Sequence, residues 1–271
     1  MDARLQRRIQ RYGWDKASSY YERYWSKQLE PAQQLLLKTA NLQPGARVLD
    51  VACGTGLVTF PAAASVGAEG RVIATDLSEK MVDFVREQAS KRKVSNVSSK
   101  WMDAEDLKFS EASFETVLCA LGLMYVPDTP RALKEMYRVL KPGGRVVVAV
   151  WGARRSCGWA EIFPIVDARV QSEVCPLFFH LGTGDALAIA FKSAGFKAIT
   201  SRRIQTTLHY DTPEDACGAV FAGGPVALAY SKFNGRTRQE AHAEYLASIG
   251  PYKNERGYDI PGEFVVACGC K

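Results

Sequence analysis

Between residues 47 and 151 the chain repeats one pattern: a short apolar run rich in β-branched residues, a turn, then an amphipathic stretch. RVLDV (47–51), RVIAT (71–75), VSSKW (97–101), FETVLCAL (114–121) and RVVVAV (145–150) read as strands. The segments between several of them carry apolar residues at helical spacing, as in Met81, Val82, Val85 and Ala89. Strands that alternate with helices require crossover connections, and those give parallel pairing with helices on both faces of the sheet. Ser78 is placed to cap the second helix, and Thr129 with Pro130 opens another that stops at KPGG (141–144). The expectation is a doubly wound, Rossmann-like α/β fold.

On either side the pattern changes. Residues 1–45 read as helix, with Tyr21, Tyr24, Trp25 and Leu29 forming one aromatic stripe. After Trp151 the regularity loosens into an aromatic stretch, a helix from Asp185 to Gly195, and a long strand over 196–210. Helices follow from Thr212 and from a capping box at Thr237 and Glu240, and EFVVAC (263–268) reads as a last strand. Two strands joined without a plain crossover helix suit an antiparallel edge. The expected division is a helical lid over 1–45 and one domain over 46–271. Residues 151–183 and 211–257 are then substrate-side insertions.

Composition narrows the classes. The 271 residues, 47% hydrophobic, suffice for one full core. A net charge of +6 spread along the chain does not predict a nucleic-acid binder, and RLQRRIQR (4–11) and SKRK (90–93) read as solvated surface. No apolar run is long enough to span a bilayer or serve as a secretory signal. Seven cysteines without CxxC pairs predict neither a disulfide framework nor a zinc site, and suit reduced thiols in a cytoplasmic protein.

The chemistry concentrates in VLDVACGTG (48–56). A glycine turn after a strand admits close approach of a ligand to backbone. Here Asp50 stands at the strand end and Asp76 at the tip of the next strand, twenty residues after Gly56. A carboxylate at the second tip suits a ribose, whose hydroxyls it can accept. Asp50 would repel a phosphate and attract a cationic amino group. A ligand with a ribose, positive charge and no phosphate is implied, and S-adenosylmethionine fits.

VLDVACGTG, ATDLSEKM (74–81) and LKEMYRVLKPGGR (133–145) resemble class I S-adenosylmethionine-dependent methyltransferases, most closely the ubiquinone/menaquinone-biosynthesis C-methyltransferases. The resemblance is specific over about 47–150 and weaker over 185–196 and YDIPGEFV (258–265). It implies a seven-stranded mixed sheet whose last strand is antiparallel, with S-adenosylhomocysteine as product. Carried over, Asp50, Ala52, Cys53, Gly54, Thr55 and Gly56 form the methionine-side turn. Asp76 holds the ribose, flanked by Leu77 and Met81; Asp103 meets the adenine amino group beside Ala104. Cys119, Ala120 and Leu121 lie below the sulfonium, and Tyr21 or Tyr12 reaches the methionine end from the lid.

The loop LGLMYVPD (121–128) lacks the Asn/Asp-Pro-Pro-Tyr motif of enzymes that methylate adenine or glutamine amides, so a small, aromatic or lipophilic acceptor is expected. Of three histidines, His180 in the aromatic loop FFHLGT (178–183) is the candidate general base. No metal is expected, no stable membrane insertion, and a homodimer is left open. An arsenite or thiol methyltransferase and a non-catalytic S-adenosylmethionine-binding protein are the alternatives.

Overall fold

The computed structural model describes residues 3–170 and 175–271. Five strands, β1 (Arg47–Val51), β2 (Arg71–Asp76), β3 (Val97–Trp101), β4 (Phe114–Ala120) and β5 (Leu140–Trp151), pair in parallel. β6 (Lys197–Tyr210), the two-residue β7 (Lys253–Asn254) and β8 (Gly257–Cys270) complete the sheet. Its order is β3-β2-β1-β4-β5-β8-β6, with β7 paired to β8. β8 runs antiparallel to both β5 and β6, the expected reversal of the last strand. The strand order reverses between β1 and β4, and in such sheets ligands bind outside the carboxyl ends at that switch point.

The helices are α1 (Ala3–Ala40), α2 (Thr59–Val66), α3 (Glu79–Lys91), α4 (Thr129–Val139), α5 (Ile162–Asp167), α6 (Ala186–Ser193), α7 (Pro213–Cys217), α8 (Ala227–Tyr230) and α9 (Gly235–Ser248). Central strands are nearly dry: Val48, Leu49, Val117, Leu118 and Val146 through Val150 are fully buried. The Ser78 hydroxyl caps α3 by accepting the Met81 amide at 3.2 Å, as its place before the apolar face predicts. Among the described residues, no helix is long and apolar enough to cross a membrane.

Local differences from the sequence reading have specific causes. α9 begins earlier than the Thr237 capping box, because the Asn234 side chain accepts the Thr237 amide at 2.9 Å and takes the cap. Asp185 stands before α6 without a capping bond from its side chain. The last strand starts at Gly257, not Glu263, because residues 258–262 continue the ladder with β6. α7 passes into a π-helical turn at Gly218–Ala222, where Gly218 leaves room for Tyr24; a Cβ there would lie 2.5 Å from the Tyr24 hydroxyl.

Candidate active site at the switch point

A cleft opens at the carboxyl ends of β1, β2 and β4. Its walls include Ala52, Gly54, Asp76, Leu77, Met81, Asp103, Ala104 and Ala120. With Leu121, nine of the residues singled out in the sequence therefore meet in one cavity, together with Tyr21 from α1.

The turn itself is built from backbone that few side chains tolerate. Gly54 and Gly56 have φ of +55° and +89°, and Ala52 sits at +56°. Leu121, at the end of β4, has φ +60°. Ala52 and Leu121 are non-glycine residues in a costly conformation, and both line the cleft. The two strand-end loops press together at Gly122, where a Cβ would fall 2.3 Å from the Ala52 Cβ. Close contact there lets the loops after β1 and β4 share one cavity wall.

Asp76 joins the turn to the second strand. Its carboxylate accepts the Gly54 amide at 2.9 Å and the Ser78 amide at 2.8 Å. Burial outweighs those hydrogen bonds and pushes its pKa up to about 6. Each oxygen retains a lone pair for a further donor. Asp50 lies behind the turn, 1% exposed, and does not line the cleft. One of its oxygens accepts the Thr59 hydroxyl at 2.6 Å; Oδ1 is buried without a partner, as is the Thr55 hydroxyl. Burial raises Asp50 to about 7. Cys53 and Cys119 are also buried behind the wall, with thiols pushed upward by desolvation, Cys119 to about 12. Neither is poised as a thiolate nucleophile.

α1 roofs the cleft. Its Arg7, Gln10, Trp14 and Tyr21 line the cavity, and Tyr21 Cε1 stands 3.7 Å from the position of a Cβ on Gly54. Polar contacts tie the helix to the cleft's rim. Arg7 pairs with Asp103 at 3.2 Å and with the buried Glu105. Asp15 accepts the Ser78 hydroxyl at 2.6 Å, and Arg11 reaches Glu79 at 2.7 Å. Arg7 and Arg11, read as solvated in the basic run 4–11, are thus only partly exposed and engaged. The sequence offered no signal for this, since Arg7 and Glu105 are 98 positions apart.

Beyond Tyr21 the cleft adjoins a small, tightly packed apolar pocket. Trp14, Tyr21, Leu121 and Tyr125 border both, and Trp25, Trp151 and Trp159 close the far side. Trp151 and Trp159 meet edge to face at 4.8 Å, with Trp25 at 6.1 Å from each. The Trp159 indole nitrogen is buried without a partner. Phe163, Phe178 and Phe179 pack tilted or edge-on against Trp159 from outside the compartment. His180 is exposed and lines neither cavity, so the structure does not bring it to the site. Tyr12, the alternative to Tyr21, is 46% exposed and also points away. Among the described residues no cluster of His, Cys, Asp or Glu could hold a metal ion.

This fold, with its acid-flanked glycine turn at the switch point, is that of the class I S-adenosylmethionine-dependent methyltransferases. Residues 26–157 match the ubiE/COQ5 methyltransferase family. It is 38% identical over 127 residues to the demethylmenaquinone methyltransferase of Listeria monocytogenes, covering 47% of this chain and 54% of that one. The chain thus spans about half the length of the curated relatives it matches. The fold extends further than the sequence likeness. Phosphoethanolamine N-methyltransferase 2 of Haemonchus contortus, solved with S-adenosyl-L-methionine, superposes with a TM-score of 0.64 at 20% identity, over 95% of this chain and 57% of that one. The cyclase SpnF superposes with a TM-score of 0.59 at 20% identity, over 89% and 80%. One scaffold thus carries different chemistries, and function has to be argued from the site.

Proposed function

We propose that the protein transfers a methyl group from S-adenosylmethionine to a small aromatic or lipophilic acceptor, of which a quinol-type ring is the favoured example. The observation that carries this reading is the shared wall of Trp14, Tyr21, Leu121 and Tyr125 between the acid-lined cleft and the aromatic compartment. The first suits a polar, cationic ligand; the second is walled by apolar and aromatic side chains, which part to admit a flat acceptor. The Listeria relative, named for a demethylmenaquinone acceptor, supports a quinone-type ring.

The cleft's chemistry suits this methyl donor. Two carboxyl groups whose pKa values are raised by burial gain from a positive charge nearby, and the buried, unpartnered Asp50 Oδ1 and Thr55 hydroxyl offer hydrogen-bonding capacity behind the turn. When bound, S-adenosylmethionine supplies a methyl on a sulfonium, and the S–C electron pair returns to sulfur as the methyl leaves.

Asp76 accepts the ribose hydroxyls while holding the Gly54 amide, with Leu77 and Met81 against the adenosine. Asp103 accepts the adenine amino group, and Arg7 fixes that carboxylate in place. The Gly54–Gly56 turn admits the methionine end, with Asp50 acting on its ammonium through the turn. Tyr21 separates donor from acceptor, and Trp159 N–H is the polar mark on an otherwise apolar acceptor wall. α1 excludes water and aligns the two reactants, which is the main demand of a displacement at carbon. The tyrosines at the site are poor bases and poor proton donors, since burial holds the Tyr21 and Tyr125 hydroxyls above their usual range. An acceptor that brings its own nucleophilic carbon or oxygenate therefore suits the site better than one needing a protein base. On this reading residues 1–45 act as the lid, 46–271 as the methyltransferase domain, and 151–183 and 211–257 as acceptor-side insertions. A cytoplasmic, reducing setting suits seven free thiols.

The test is incubation with methyl-labelled S-adenosylmethionine and a panel of hydroquinones, phenols and thiols, followed by mass spectrometry. A labelled quinol product, lost in Asp76→Ala, is expected. Label in RNA, DNA or protein alone, or in none of the small molecules while the donor binds, would refute the reading.

A further inference from the structure

The outward face of α1 is chemically unlike the rest of the surface. Between residues 3 and 29 the exposed positions include five cations, Arg4, Arg8, Lys16, Arg23 and Lys27, and no acid; the exposed Glu30 bounds the row at its carboxyl end. Removing these five from the 35 basic side chains leaves 30 against 29 acidic ones, so this helix face carries nearly all of the chain's excess charge. The two acids within the same span are turned aside. Asp15 is held by the Ser78 hydroxyl, and Glu22 is only partly exposed. Asp215 meets Arg23 at 3.3 Å, although that side chain remains 70% exposed.

Three further exposed residues break the row with apolar surface. Leu5 is 41% exposed, and Tyr12 and Tyr20 are each 46% exposed. Steps of three, four and seven positions keep the row on one side of the helix, and from residue 4 to residue 27 it extends about 35 Å. The row ends before Pro31. The opposite side of the same helix roofs the cleft with Arg7, Gln10, Trp14 and Tyr21.

We propose that this face is a docking surface for an anionic lipid bilayer. A straight basic row interrupted by tyrosine and leucine matches a plane of negative headgroups better than a compact protein patch. Cations are drawn to the headgroups, tyrosine rings lie at headgroup depth, and Leu5 enters the acyl boundary. Docking would hold the protein at the surface in which a lipophilic acceptor resides. The surface charge stands without the methyl-transfer reading, and the test below does not use turnover.

The full chain is mixed with vesicles of phosphatidylcholine alone, or with roughly one-third phosphatidylglycerol, at low and at high salt, and sedimented. Salt-sensitive binding to the anionic vesicles only is expected. The triple variant Arg8→Glu/Lys16→Glu/Lys27→Glu should lose about a hundredfold in partitioning, while its calorimetric affinity for S-adenosylhomocysteine matches the wild type and reports an intact fold. Were that affinity lost, Arg8→Gln/Lys16→Gln/Lys27→Gln should give the same vesicle result with binding retained. Equal binding to neutral vesicles, no binding at low salt, or no loss in a folded variant would overturn the proposal. So would tighter binding to duplex DNA or RNA than to anionic vesicles, or a stable dimer that covers the face.

Discussion

The Asp76 carboxylate accepts the Gly54 amide at 2.9 Å, so the acid at the tip of β2 and the glycine turn after β1 form one unit. A substitution at either residue alters the other. Asp76→Ala should weaken S-adenosylhomocysteine binding by one to two powers of ten, since losing hydrogen bonds to a charged group costs about 1.5–3 kcal/mol. Asp76→Asn, which keeps an acceptor oxygen for one amide, should fall between. Titration calorimetry measures both. Equal affinity in folded Asp76→Ala would remove the ribose assignment.

The raised carboxyl groups predict two pH effects. In the ligand-free fold Asp76 titrates at about 6 and Asp50 at about 7, against about 4 when unfolded. The folded state then holds more protons than the unfolded state between about pH 4 and 7, so their contribution to stability falls as pH rises through that window. Asp50→Asn should flatten the thermal-melting profile there. A cationic ligand favours the ionised forms, so its affinity should rise with pH across the same window and binding near pH 6 should release protons. Calorimetry in buffers of differing ionisation enthalpy reads the proton count; a count of zero contradicts the prediction.

Arg7 couples the roof to the rim. Arg7→Ala would leave the Glu105 carboxylate, whose side chain is 2% exposed, held by the Asp128 amide at 3.0 Å. A loss of about 1–3 kcal/mol in folding stability is expected, reduced by the partial exposure of Arg7. Amide exchange over residues 5–30 should also become faster, and ligand-induced protection there should shrink. A wild-type roof whose protection the ligand does not alter would mean a permanently docked helix and not a lid.

Much of this was legible in the sequence because it is local. A strand, a glycine turn and an acid fix backbone geometry within a few residues, so Gly54, Asp76, Leu77, Met81 and Asp103, singled out by spacing and resemblance, line one cleft. What the sequence hid depends on which distant segments fold together. Arg7, Gln10 and Trp14 look like any helix surface until α1 crosses the strand ends, and Gly122 matters only through its contact with Ala52. His180 failed in the other direction: an aromatic neighbourhood in sequence became the far side of the Trp159 stack. Asp50 lies one layer deeper than a direct ligand, because the turn's own backbone stands in front of it.

The acceptor compartment yields a separable prediction. Trp159→Phe removes the unpartnered indole N–H and keeps an aromatic ring. Acceptor KM should rise several-fold for substrates that carry a ring oxygen, with the donor affinity unchanged. A matched change in donor affinity would mean that the two cavities are not separate subsites.

The central claim is that the Gly54 turn and Asp76 hold S-adenosylmethionine, and the most direct measurement is calorimetric titration of S-adenosylhomocysteine at pH 8 into the wild type and Gly54→Val. Gly54 has φ +55° and faces the cleft, so valine both strains the turn and fills the space. One site per chain in the wild type, and no binding in a folded Gly54→Val protein, is the predicted result. Binding of equal strength in both proteins, or none in the wild type, would contradict it.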